Sequence, residues 1–176
     1  MKKTIAAISL WILVAATTSH ASIGSDISVE KKVTRSDLIV VARADGKMPT
    51  DGEAINVREV ERMTVLATIK GTQSLSTLSF VTRGFSDEFN PDCCESGKIY
   101  LLFLSSGYME FDDKDGSVAL IFREPERFVS PSAGWFSAYE IADGVVQGWK
   151  GRNCHLENVL EEIACGQSAS VNCQLN

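Results

Sequence analysis

The sequence predicts a mainly β domain, a small barrel or sandwich that ends in one short helix. Three observations predict it. Two unbroken apolar runs, Leu38-Ile39-Val40-Val41-Ala42 and Ile99-Tyr100-Leu101-Leu102-Phe103-Leu104, have the length of strands buried on both faces. Turn signals at Lys114-Asp115-Gly116 and Asp143-Gly144 separate segments of strand composition. An amphipathic helical spacing is clear only near the C-terminus, so about six to eight strands outnumber the helices.

In chain order, residues 25–35 are expected to form a short helix with Ser25 or Asp26 as cap and Ile27 and Val33 as anchors. The first strand covers 38–42. Residues 45–53, with Asp45-Gly46, Pro49 and Asp51-Gly52, read as a polar loop that ends it. A long second strand covers 56–69, its Val57, Val60, Met63, Val65 and Ala67 mixed with charged residues that imply one wet face; Gly71 stops it. The third strand, 76–82, puts Leu78 and Phe80 on one side, and residues 84–97 form a loop. The 99–104 run is the most hydrophobic and belongs at the centre of the sheet. Residues 108–111 with 118–122, and 136–141 with 145–149, form two hairpins. Leu156, Val159, Leu160 and Ile163 then recur at helical spacing, with Asn153 able to cap the start, Gly166 after the end, and Glu157, Glu161 and Glu162 turned to water.

The N-terminus predicts export. Lys2 and Lys3 precede an apolar run over 5–16, and Ser19-His20-Ala21 is a small-residue site that a signal peptidase accepts. The run is shorter than the roughly 20 residues that span a bilayer, and no later segment is long and apolar enough. Ser22 and Ile23 follow the cut, so there is no cysteine there for a lipid anchor. The expected organisation is a signal peptide over 1–21, a β-barrel domain over 22–152, and a helix with a cysteine-bearing tail over 153–176. The mature protein is expected in the periplasm or outside the cell.

Loss of Lys2 and Lys3 leaves 15 of the 17 basic residues against 23 acidic ones, a formal charge of −8 against −6 for the whole chain. Nucleic-acid affinity rests on clustered Lys and Arg that release counterions, so that class of partner is not expected. About 155 residues suffice for one domain.

In an oxidising compartment the five cysteines, Cys93, Cys94, Cys154, Cys165 and Cys173, read as disulfide candidates with one left over. If one helix carried both Cys154 and Cys165, they would lie about 16 Å apart, too far to bridge. Neighbouring Cys93 and Cys94 would need a strained peptide to join each other. A bridge from Cys93 or Cys94 to the C-terminal tail is therefore expected, with a vicinal redox switch as the functional alternative.

Ser36-Asp37-Leu38-Ile39-Val40-Val41-Ala42-Arg43, a long strand ending Ile69-Lys70-Gly71, then Cys94 and Gly97-Lys98-Ile99-Tyr100-Leu101-Leu102-Phe103-Leu104, resemble the netrin-like module shared with tissue inhibitors of metalloproteinases. Exported bacterial proteins of the same layout are also similar. The resemblance spans residues 36–122 and implies an OB-like five-stranded barrel with a terminal helix beside it. Those inhibitors chelate the enzyme's zinc through an N-terminal cysteine. The mature chain here begins Ser22-Ile23-Gly24, so no residue carries that role.

Catalytic candidates are sparse. His155 is the one histidine left after export, and its expected place in the first helical turn suits a solvated or capping residue. A several-histidine zinc site is impossible. Asp112, Asp113 and Asp115 are spaced to attract calcium, and Glu124 falls at the bidentate position counted from Asp113, but Val118 stands where a calcium loop needs glycine. No phosphate loop or nucleophile elbow occurs. No metal, cofactor or catalytic residue is therefore assigned. Trp135 and Trp149, with Phe136 and Tyr139, can form an aromatic platform or pack in the core. The acidic loops that carry Asp45, Asp51 and Glu53, and Asp87, Glu88 and Asp92, are the candidate contact surfaces. The expected function is a non-enzymatic binding or inhibitory module for a protein partner; the alternative is an exported hydrolase with an unrecognised site.

Overall fold

The computed structural model describes residues 27–50, 57–71, 75–83, 90–91, 93–106, 108–111, 118–121, 127–129, 137–165 and 173–174. The expected signal segment, the calcium-like acidic run and Gly166 lie outside them.

Helix α1 (Val29–Arg35) begins later than its composition suggested, because Ser28 rather than Ser25 or Asp26 accepts from the Lys31 N–H. Ser36 ends it, donating from both its backbone N–H and its hydroxyl to the Lys32 carbonyl. Strand β1 (Leu38–Met48) follows at once. It does not stop at Asp45. Between the pairs Ala44↔Met63 and Gly46↔Arg62 the register slips by one, so Asp45 is a bulged residue and the strand runs on to Met48. Gly46 absorbs the bulge at φ 132, a conformation that side chains disfavour.

Five strands close a barrel. β2 (Glu59–Lys70) pairs antiparallel with β1, β3 (Thr77–Arg83) with β2, and the three-residue β7 (Arg127–Val129) runs parallel to β3. β4 (Ile99–Ser106) takes β7 on one edge and β1 on the other, which completes the ring. The result is an OB-like barrel. Strand β7 was not foreseen, since three residues are too few to show a period.

The continuous apolar runs in β1 and β4 follow from burial on two sides. Val40, Ala42, Leu102 and Leu104 point into the barrel with Met63, Leu78, Phe80 and Phe128. The alternate residues Ile39, Val41, Leu101 and Phe103 point outward, where α1 and helix α2 (Leu156–Cys165) cover them through Val29, Val159 and Ile163. Packing both faces of the same strands gives the domain two cores with one shared wall.

Beyond β4 the sheet extends through β8 (Ala138–Ala142), β9 (Val145–Trp149), β10 (Arg152–His155) and β11 (Cys173–Gln174). Asp143 and Gly144 turn the β8–β9 hairpin with φ 51 and 76, the signature of a type I′ turn. Lys150 and Gly151 repeat it at φ 51 and 75, and this second turn corrects the reading of Asn153 as a helix cap. Asn153 lies in β10 and its Oδ1 accepts from the Gly148 N–H at 3.1 Å. β5 (Tyr108–Phe111) and β6 (Val118–Ile121) form the expected hairpin, which is a two-stranded sheet of its own.

Candidate functional site

The β1 bulge builds a charged site on the barrel wall. Arg43 and Thr64 are register partners, and the bulge brings the Asp45 carboxylate between them. Oδ1 accepts from Arg43 Nε and Nη2 at 3.1 Å, and Oδ2 accepts from the Thr64 hydroxyl at 2.5 Å. The Thr64 hydroxyl first, and the Arg43 guanidinium after it, hold the Asp45 carboxyl below its usual range. Lys47 Nζ donates to Glu59 Oε2 at 2.8 Å and the Thr82 hydroxyl to Glu59 Oε1 at 3.3 Å. Lys47 thereby holds the Glu59 pKa down as well. Asp45, Gly46, Lys47, Met48, Pro49 and Arg62 line an open depression of about 310 Å³ beside this array.

A third carboxyl behaves in the opposite way. Glu61 is only 1 % exposed, pairs with Lys47 and Phe80, and lies two residues from the buried Met63 of the interior core. It accepts a hydrogen bond from the Gly46 backbone, and its Oε1 has no hydrogen-bond partner. Burial pushes its pKa up, against that hydrogen bond, and the neighbouring Glu59 and Asp45 charges add to the rise. Nothing in its alternation with Arg62 marks Glu61 as buried.

Of the residues expected to bind, Asp45 sits on a strand, and Asp51, Glu53, Asp87, Glu88, Asp92 and Trp135 lie outside the described residues. Trp149 offers no platform. It is fully buried, stacked on Phe103 at 5.9 Å and edge-on to Tyr139 at 4.9 Å. Its Nε1–H donates to Glu162 Oε2 at 2.9 Å, and Lys150 pairs with the other Glu162 oxygen. Glu162 is therefore buried, which corrects its expected place in water; Glu157 and Glu161 are exposed. Lys32, buried on α1, donates to the Tyr139 hydroxyl. That Lys32–Tyr139–Trp149–Glu162 cluster joins both helices to the sheet and was not foreseen.

His155 ends β10 opposite Val145 and is not in the helix. Among the described residues no group of three or more His, Cys, Asp and Glu side chains is placed to hold a metal. No described helix is long and apolar enough to cross a membrane.

The cysteines overturn the expected staple. Cys93 and Cys94 are bonded to each other, so neither reaches the tail. Cys94 allows this by taking φ 83. Cys154 is disulfide-bonded and lies in β10, where its backbone faces Cys173 of β11; it is not part of the helix that carries Cys165.

Comparison of the chain with protein-family models, with curated proteins and with solved structures finds no match in any of the three.

Proposed function

We propose that the protein is a non-enzymatic binding module of the netrin-like kind, exported, which engages a protein partner at the β1–β2 end of its barrel. The observation that carries this reading is the open depression lined by Asp45, Lys47 and Arg62 at the start of the β1–β2 connection. OB-like barrels bind through the connection between their first two strands and the adjoining face. Here that face offers exposed ion pairs, Arg43 with Asp45 and Lys47 with Glu59, which a partner's charges can replace. The barrel interior is filled with apolar side chains. A net charge of −6, or −8 after export, disfavours nucleic acid.

One observation favours the hydrolase alternative. Glu61 on one side, and Asp45 and Glu59 on the other, have pKa values pushed apart, the pattern of an acid and a base. Against it, Glu61 does not line the depression.

The test is affinity capture from the exported fraction of the source organism, repeated with Asp45→Lys and Arg62→Glu. Binding at this end predicts that both variants lose the captured partner while remaining folded, Asp45→Lys with a lower unfolding midpoint because its carboxylate stabilises the fold. Turnover of a peptide, ester or glycan that disappears in Glu61→Gln would replace the binding reading with the hydrolase.

A further inference from the structure

We propose that the Cys93–Cys94 disulfide is a reversible thiol–disulfide exchange site, opened by dithiols and coupled to strand β1, and not a structural cross-link. This stands independently of the partner proposed above.

A disulfide stabilises a fold chiefly by closing a loop in the unfolded chain, and the effect grows with loop length. Between residues one apart there is no loop to close. The bond instead holds Cys94 at φ 83, in the left-handed region that non-glycine residues avoid. A cross-link with no chain-entropy gain and a strained backbone is poorly explained as a staple, and strained disulfides are the readily reduced ones.

The surroundings hold the ring in place and connect it to β1. Immediately after it, the Glu95 N–H donates to the Tyr100 hydroxyl at 3.0 Å. The Gly97 N–H donates to the Ala44 carbonyl at 2.8 Å, and the Ala44 N–H to the Lys98 carbonyl at 2.9 Å. Lys98 is clamped by Glu95 at 2.6 Å and Glu140 at 3.2 Å. Residues 95–98 are thus a strap across β1, one residue before its bulge.

The two sulfurs are unequal. Cys94 is buried in the interior core that includes Ala44 and Tyr100, whereas Cys93, packed against the same core, is only partly buried. A dithiol's thiolate therefore attacks Cys93 Sγ. The Cys93–Cys94 bond breaks, a mixed disulfide forms at Cys93, and Cys94 leaves as a thiolate that takes up a proton. The dithiol's second sulfur, as a thiolate, then attacks its own sulfur in the mixed disulfide and releases the Cys93 thiolate, which is protonated in turn. Two electrons and two protons pass from the dithiol, which becomes a disulfide, to the pair. With the ring open, Cys94 is free to leave positive φ, and the strap loses its fixed start.

The test uses the full mature chain in native buffer, with dithiothreitol and a reduced Cys-x-x-Cys protein as separate arms, iodoacetamide quenching and peptide mass mapping. Cys93 and Cys94 should be alkylated together in at least one arm, at least about tenfold faster than the fully buried Cys154 is released from its disulfide. Hydrogen exchange over residues 95–98 should accelerate at least about tenfold on opening and recover on reoxidation. Opening no faster than at Cys154 in both arms, or opening that leaves exchange over 95–98 unchanged, overturns the proposal. Cys93→Ser with Cys94→Ser should reproduce the reduced exchange pattern; the wild-type experiment decides the matter even if that variant does not fold.

Discussion

Lys32 holds its ammonium 4.9 Å from the indole centroid of Trp149, with both side chains fully buried. The same ammonium lies 4.7 Å from the Tyr139 ring and donates to its hydroxyl. Aromatic faces therefore supply part of what water supplies to an exposed lysine. Because Trp149 in turn binds Glu162 on α2, one buried polar cluster ties α1 and α2 to the same patch of sheet.

Lys32→Met keeps the apolar stem and removes the charge. It should destabilise the domain by about 2 kcal/mol, the sum of a desolvated cation–π contact and a buried hydrogen bond. Urea denaturation measures it. A change below about 0.5 kcal/mol would show that the cluster only fills space.

Gly46 and Gly71, both at positive φ near β1, should rank differently. A Cβ on Gly46 meets nothing within 4 Å, so Gly46→Ala should cost only its backbone strain at φ 132, about 1–2 kcal/mol. At Gly71, φ 110 adds a Cβ only 2.8 Å from Leu38 Cδ1 and 3.1 Å from the Asp37 carbonyl. Gly71→Ala should therefore lower the thermal midpoint more than Gly46→Ala. The reverse order would mean that the bulge, and not the β2 terminus, is the tighter backbone site.

What could be read in advance follows from which signals are local. Alternating Ile39 and Val40 had to be strand because both faces are apolar, and Asp143-Gly144 had to be a turn because positive φ suits them. Asp45-Gly46 looks the same as a turn, yet pairing with Arg62 and Met63 carries the chain through it as a bulge, and that pairing is set by residues far along the sequence. Lys150-Gly151 is the converse: a real turn without a strong signal, whose omission moved Cys154 and His155 into the wrong element. Glu162 was misplaced for another reason, and the burial of Lys32 was hidden by the same one. Helical periodicity sorts residues by polarity, and a buried ion network breaks that sorting. The candidate site was legible only at Asp45; Lys47, Glu59, Glu61, Arg62 and Thr64 are brought to it by strand register.

Asp45 and Glu59 should stabilise the fold above the ordinary carboxylate pKa, with that contribution lost as pH falls through their lowered folded values. Thr64→Val removes the hydrogen bond that lowers Asp45 most. An NMR titration of the Asp45 carboxyl should show its pKa rising in this variant while that of Glu59 stays in place. An unmoved Asp45 would assign the lowering to Arg43 instead.

Glu61 should act with the opposite sign. A carboxyl whose folded pKa is raised binds its proton more tightly folded than unfolded, so its contribution is most favourable below the ordinary glutamate pKa and is lost as pH climbs through the raised value. Ionising it leaves a buried charge whose Oε1 lacks a hydrogen-bond partner. Glu61→Gln keeps the shape and the Gly46 hydrogen bond but removes the charge. It should raise stability at pH 7 by about 1 kcal/mol, roughly 2–4 °C in Tm, with little change at pH 4. A variant less stable than wild type at pH 7 would mean that the charge itself is held by the Lys47 side of the site. Partner capture should survive the substitution, because Asp45, Lys47 and Arg62, and not Glu61, line the depression.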